Sequence, residues 1–364
     1  MTEELSRTSA LAERHRALGS ALEDWNGMGT AWSYETNPED EHDAVREAAG
    51  MFDMSPLKKV FVRGRDAAMV LDHLTTRDVT RIAPGQAAYL SVLTEGGTMA
   101  DDAIVSNNDD DEWMIVHGSG DTMALLEASA EGRDVTIEFT DDLHDVSLQG
   151  PQALAILDVV CSIDLAALGY FRHARAALFG LPCRISRTGY SGERGYEIFA
   201  DAAHVIALWD RLVDAGVMPC SFTALDKVRI EAGLLFYGYD MTSETTPWEV
   251  GLGFTVSRTK GDFRGKAALM AAENRLKVRN VCLDIDHTDM VAGGETLMLA
   301  GEYVGVINSP AWSHRLGKSL ALAHIRPDIG LGTELTLRSD ALTTTADVIA
   351  IPIYDPQKSR TRAP

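Results

Sequence analysis

The pattern of this chain changes at Gly251. Ahead of it, strand-length apolar runs alternate with helical ones. After it, the apolar residues fall only into short runs broken by glycine: Val281–Ile285, Tyr303–Val306, Ser319–Ala323, Glu334–Leu337 and Thr345–Ile349. Runs of that length without helical spacing confine the last part of the chain to a small β-barrel or sandwich. With 364 residues, and roughly 100–200 residues per domain, the rest must form one or two further domains.

Upstream, the spacing predicts strands at Val60–Val62, Ala87–Leu93, Ala103–Val105 and Trp113–Val116, with Asn107–Glu112 as a polar hairpin turn. Met69, Val70, Leu71 and Leu74 give a helix over Asp66–Leu74. Pro151 opens another, with Ala153, Leu154 and Leu157 on one side. The clearest helix is Asp201–Ala215, capped by Asp201 and ended by Gly216, burying Val205, Ile206, Leu208, Trp209, Leu212 and Val213. A further helix is expected over 223–233. Residues 1–20 read as a charged helix or arm, and Asp355–Pro364 as a loose polar tail.

Acidic residues outnumber basic ones 54 to 33, a net charge of −21, which argues against affinity for nucleic acid or an anionic membrane. Cys161, Cys183, Cys220 and Cys282 are far apart, and the ten histidines show no HExxH or HxH spacing, so no metal is expected. The N-terminus lacks an apolar signal-peptide core, and no run approaches the ~18 apolar residues of a membrane span. A cytoplasmic protein, monomer or homodimer, is expected. There is no P-loop, no strand-linked GxGxxG and no GxSxG elbow.

Three constellations can carry chemistry. Gly189-Tyr190-Ser191-Gly192-Glu193-Arg194-Gly195-Tyr196-Glu197 has three glycines in seven residues, which permits a tight path bringing Glu193 and Glu197 to one ligand. A carboxylate matches the paired N–H donors of a pterin edge, and Tyr190 and Tyr196 can flank a flat ring. The alternative is a β-turn with exposed acids. In Gly96-Gly97-Thr98-Met99-Ala100-Asp101-Asp102, adjacent strand residues point to opposite faces, so one acid of the pair can enter a pocket and handle a proton. The alternative is a solvated turn. In Asp226–Gly238, Asp226, Arg229 and Gly233 share a helix face; Arg229 either pairs internally with Asp226 or holds a ligand carboxylate.

Taken together, these segments resemble the aminomethyltransferase family, the T-protein of the glycine cleavage system and its relatives. Gly50-Met51-Phe52-Asp53-Met54-Ser55 resembles G-[LM]-F-D-x-S. Gly85–Tyr89 followed by Gly96–Asp102 resembles G-x-A-x-Y…GG-x-x-DD. Gln149-Gly150-Pro151 matches Q-G-P, Arg187–Glu197 matches R-T-G-Y-[ST]-G-E-x-G-[YF]-E, and Arg229–Gly238 resembles R-x-E-A-G-x-x-x-Y-G. Thr246–Gly253 with Asp262–Lys266 resembles the start of the last domain.

The resemblance implies an α+β protein: a three-domain ring of two mixed α/β domains with antiparallel sheets plus a C-terminal β-barrel. The implied domains are 1–55 with 146–245, then 56–145, then 246–364. It implies tetrahydrofolate as cofactor and a small methylated or aminomethylated substrate. Asp102 takes the catalytic position. Tyr89, Tyr190 and Glu197 line the folate, with Glu193, Arg229 and Tyr237 in the surrounding motifs and His117 where the family usually has Asn. The chain departs from the T-protein pattern at Leu225, His117, Arg77, Pro56–Lys59 and Trp25–Tyr34. The reading is therefore a folate-dependent demethylase taking a methyl group from a sulfonium, N-methyl or methoxy donor. The alternatives are a glycine cleavage aminomethyltransferase and a non-catalytic folate-binding protein. The last of these is disfavoured because Thr245–Leu252 has no cysteine.

Overall fold

The computed structural model describes residues 5–109 and 111–363. Two mixed α/β units with antiparallel sheets are joined to a closed six-stranded barrel. The first sheet orders its strands 173–178, 181–186, 195–201, 143–149, 50–53 and 218–219, and only its last pair is parallel. The second has the order 86–93, 99–109, 112–117, 58–63 and 136–140. The barrel is built from 279–285, 318–325, 302–313, 296–299, 334–338 and 343–349.

Local chemistry explains the elements. The Ala202–Asp214 helix starts where Asp201 Oδ1 accepts from the His204 amide at 2.9 Å. It buries Val205, Leu208, Trp209 and Leu212 against the first sheet, each contributing about 1.5–3 kcal/mol. Val213 is not on that face; it is 42% exposed, because it lies about 100° around the helix from Leu212. The helix ends before Gly216, whose φ of +86° suits glycine.

Other expectations need correcting. The strand expected at Ala103–Val105 runs from Met99 to Asp109 and the next begins at Glu112, so Asn107–Asp109 of the expected turn are strand; Asp110 lies outside the described residues. Its polar end is accommodated because Asn107 Nδ2 donates to the Ile82 carbonyl at 2.7 Å. Among the described residues the charged N-terminal segment is helical over Ala12–Ala17 alone. The barrel closes through Thr296–Leu299, a strand too short to signal itself. No barrel strand precedes Arg279: the stretch from Gly251 to there holds the Lys266–Ala272 helix and a short 3₁₀ turn. The tail is not loose. Thr361 Oγ1 donates to the Gly192 carbonyl at 2.9 Å, and the Ala363 carbonyl accepts from Arg187 and Arg194. Pro364 lies outside the described residues.

Each unit meets the other two. The Ala87 amide donates to Phe171 across the two sheets, and the Ser257 amide donates to Thr76, both at 2.9 Å. Ser313 on the barrel donates to Glu231 of the Phe222–Glu231 helix at 2.6 Å.

Candidate functional site

Alternation along Met99–Asp109 separates the two adjacent acids. Asp101 is fully buried; its Oδ2 is held by His117 Nδ1 at 2.9 Å and by Thr122 Oγ1 at 2.7 Å. Asp102 is half-buried on the opposite face, where Tyr89 donates its hydroxyl to Oδ2 at 2.9 Å. Burial, and then the neighbouring Asp101 charge, push the Asp102 carboxyl up to about 7, against the pull of the Tyr89 hydrogen bond. A carboxyl titrating near neutrality can either take or give a proton under ordinary conditions.

Tyrosines surround it. Burial, followed by the Asp102 charge and hydrogen bond, raises Tyr89 well above its usual value. Burial also raises Tyr190, with Arg229 opposing and Asp102 among the charges that add to the rise. Tyr237 rises through burial and the Asp101, Asp121 and Asp102 charges. Tyr190 donates to the Leu235 carbonyl at 2.5 Å, which fixes its ring. Phe254, 64% exposed, stacks beside Tyr89 with centroids 6.4 Å apart. Nothing in the spacing singles out Phe254, since its contact with Tyr89 is long-range.

The glycine-rich segment works through Gln149. A Cβ on Gly189 or Gly195 would lie 2.1 or 2.2 Å from the Gln149 amide. That amide donates to Ser147 Oγ at 3.0 Å and to the Thr188 carbonyl at 3.2 Å, and accepts from Ser191 Oγ at 2.8 Å. Two motifs some forty residues apart in sequence thus form one packed unit. Glu197 leaves this unit on the 195–201 strand with one hydrogen bond among the described residues, from Thr188. Burial raises its carboxyl, opposed by Thr188 and then by the Lys59 charge. Beside it lies Asp145, fully buried with neither carboxyl oxygen hydrogen-bonded among the described residues. Burial and the Glu197 charge hold Asp145 well above the carboxylate range. Asp145 escaped the motif reading because it precedes Gln149-Gly150-Pro151.

The structure does not bring Glu193 and Glu197 to one place. Glu193 receives Tyr354 at 2.5 Å, Arg360 at 3.0 Å and Arg46 at 3.3 Å. Tyr196 points into the core, its hydroxyl donating to the Leu165 carbonyl at 3.2 Å. Arg229 is buried, spending its guanidinium on Asp226 at 2.8 Å, Asp240 at 2.5 Å and Ser309 at 2.9 Å. His117 backs Asp101 and is itself buried, its Nε2 without a partner. Two of the departures from the T-protein pattern converge. Trp32 and Leu225 join Tyr190, Phe222, Asp226, Phe236 and Tyr239 around a small aromatic cavity of about 40 Å³. Trp25 extends this cluster, 5.1 Å from Phe222.

This architecture is that of a known class. The family models described as the GCVT N-terminal domain and the glycine cleavage T-protein C-terminal barrel domain match residues 11–260 and 279–355. The chain belongs to this aminomethyltransferase family. It is 43% identical to the heme-dependent oxidative N-demethylase gamma subunit of Ectopseudomonas mendocina, over 98% of both chains. It is 35% identical to the aminomethyltransferase of Rubrobacter xylanophilus, over 96% of this chain and 94% of that one. The crystal structure of the glycine cleavage system aminomethyltransferase T from Bartonella henselae superposes with a TM-score of 0.89 at 26% identity, covering 96% of this chain and 98% of that one. No helix among the described residues is long and apolar enough to cross a membrane.

Proposed function

We propose that this protein is a tetrahydrofolate-dependent one-carbon transferase whose donor is an N-methyl compound. The observation that carries the reading is Asp102: a half-buried carboxyl raised to about 7, held by Tyr89 and facing Tyr190. The folate fit rests on Glu197 and the unpartnered oxygens of Asp145, two buried acids lacking the N–H donors that a pterin edge carries. Tetrahydrofolate supplies a nucleophilic ring nitrogen to take up the one-carbon unit. Glu197 and Asp145 orient its pterin, Tyr89 and Tyr190 wall the ring, and Asp102 accepts the proton released as the new C–N bond forms.

The N-methyl donor is favoured over the sulfonium and methoxy donors by the 43% identity to an oxidative N-demethylase subunit. Oxidative removal of an N-methyl group withdraws two electrons and yields carbon at the formaldehyde level. Its condensation with tetrahydrofolate then loses water, giving 5,10-methylenetetrahydrofolate without further redox change. The oxidant would be supplied by partner subunits, so a hetero-oligomer replaces the monomer or homodimer expected from sequence. The aromatic cavity beside Tyr190, lined in part by two departures from the T-protein pattern, Trp32 and Leu225, is consistent with a small donor in place of a lipoyl arm.

The test is a donor screen with tetrahydrofolate, reading the folate product by mass, using formaldehyde and N-methyl, sulfonium and methoxyaryl compounds. Methylene-folate formed faster than the uncatalysed background supports the reading. Ammonia release from an aminomethyl-lipoyl carrier would instead assign it as a glycine cleavage aminomethyltransferase. Folate binding with no turnover of any donor would leave a binding protein.

A further inference from the structure

The Pro38–Glu47 helix meets the barrel through two histidines that the proposed folate site does not use. His42 is fully buried, and its Nε2 lies 2.9 Å from Glu231 Oε2. Glu231 also receives Arg46 at 2.8 Å and Ser313 at 2.6 Å. With Nε2 engaged by Glu231, Nδ1 is the ring nitrogen left to face a ligand. That Nδ1 is buried and has no hydrogen-bond partner among the described residues. It lies 3.9 Å from Asp43 Oδ1, which in turn is 3.0 Å from His314 Nε2. The two imidazole rings are 4.8 Å apart, and one ligand atom from each of the three residues falls within 4.8 Å of the others.

We propose that His42, Asp43 and His314 bind a divalent first-row transition ion, zinc foremost. Ligand atoms around tetrahedral zinc, with bonds of about 2.0–2.1 Å, stand about 3.3 Å apart, so a small contraction of these side chains closes the site. Two imidazoles and a carboxylate suit zinc and neighbouring ions better than calcium or magnesium. The Glu231–His42 contact is the carboxylate–histidine support that orients a metal-binding imidazole and raises its basicity. Arg315, 2.6 Å from both Asp43 and Glu47, is the competing cation that must shift away from Asp43 as the ion enters. Because His314 sits just beyond the 302–313 barrel strand, the ion would clamp the first unit to the barrel.

The test uses the full chain without a metal-binding tag, stripped with chelator and dialysed, then titrated calorimetrically with zinc alone. One equivalent per chain is expected, with a matching rise in melting temperature and tetrahedral d–d absorption for cobalt in place of zinc. His314→Ala and Asp43→Asn should each weaken binding at least tenfold, while His287→Ala, a half-buried histidine outside the cluster, should not. Circular dichroism checks that the variants are folded; His42 is left intact because its contact with Glu231 is part of the core. Less than half an equivalent in the wild type overturns the proposal. So does zinc binding that His314→Ala and Asp43→Asn leave unchanged.

Discussion

Asp102 and Glu193 both stand in motifs of the family, and both are withdrawn from water, but their surroundings are opposite. Glu193 is met by Arg46, Arg360 and Tyr354, so its charge is matched and its oxygens are spent. Asp102 has Tyr89 as its one side-chain hydrogen-bond partner among the described residues; burial and the second acid beside it push its carboxyl up to about 7. A compensated acid holds structure together. An uncompensated one is available for chemistry, because its proton is only loosely committed.

The strongest way to break this contrast is Asp102→Asn. Turnover should fall about 100- to 10,000-fold, as for loss of a general acid–base group, while folate affinity stays within a few-fold. Steady-state kinetics with equilibrium folate binding check it, and unchanged turnover removes the role. Glu197→Gln addresses the acceptor side. Loss of a charged hydrogen-bond partner should weaken folate binding about 10- to 100-fold, measured by fluorescence titration, with kcat at saturating folate much less affected.

The pH dependence sharpens the comparison further. Asp102 must be ionised to accept a proton, so kcat/KM should rise with pH through about 7. Because Asp101 contributes to the upward shift, Asp101→Asn should move that inflexion to lower pH; an unmoved inflexion would assign the titration to another group. The stability consequence has a definite sign. The folded state keeps the Asp102 proton between about 4 and 7, where an unfolded carboxyl has lost it. The Asp102 contribution to stability therefore falls as pH rises through that window. The smallest effect is expected at the tail. Arg360→Ala removes one partly exposed partner of Glu193 and should cost about 0.5–1 kcal/mol, with turnover within twofold. A larger loss of activity would mean that the tail shapes the site.

Much of the fold could be read from residue pattern. The capped, amphipathic Ala202–Asp214 helix and five of the six barrel strands are local matters of periodicity and turn residues. The Thr296–Leu299 strand is not, because four residues carry too little alternation to stand out and only the closing of the barrel requires them. The tail misled for a related reason. Its polar composition is that of a loose segment, but its partners Glu193, Arg187 and Arg194 lie more than 150 residues away in sequence.

The site divides in the same way. Sequence alone set the candidates: the adjacent acids Asp101 and Asp102, the glycine-rich Arg187–Glu197 segment, and the principle that neighbouring strand residues face apart. From strand alternation it could not say which acid faces outward, because that depends on strand register against Gln86–Leu93 and Glu112–His117, and only the family resemblance pointed to Asp102. Nor could it show that Gly189 and Gly195 make room for Gln149, that Asp145 lies beside Glu197 with both oxygens unpartnered, or that Glu193 and Arg229 are already matched. Periodicity and motif are properties of neighbours along the chain. The protonation of a carboxyl is set by burial and by charges from distant segments, and those are fixed only when the three parts of the molecule close on one another.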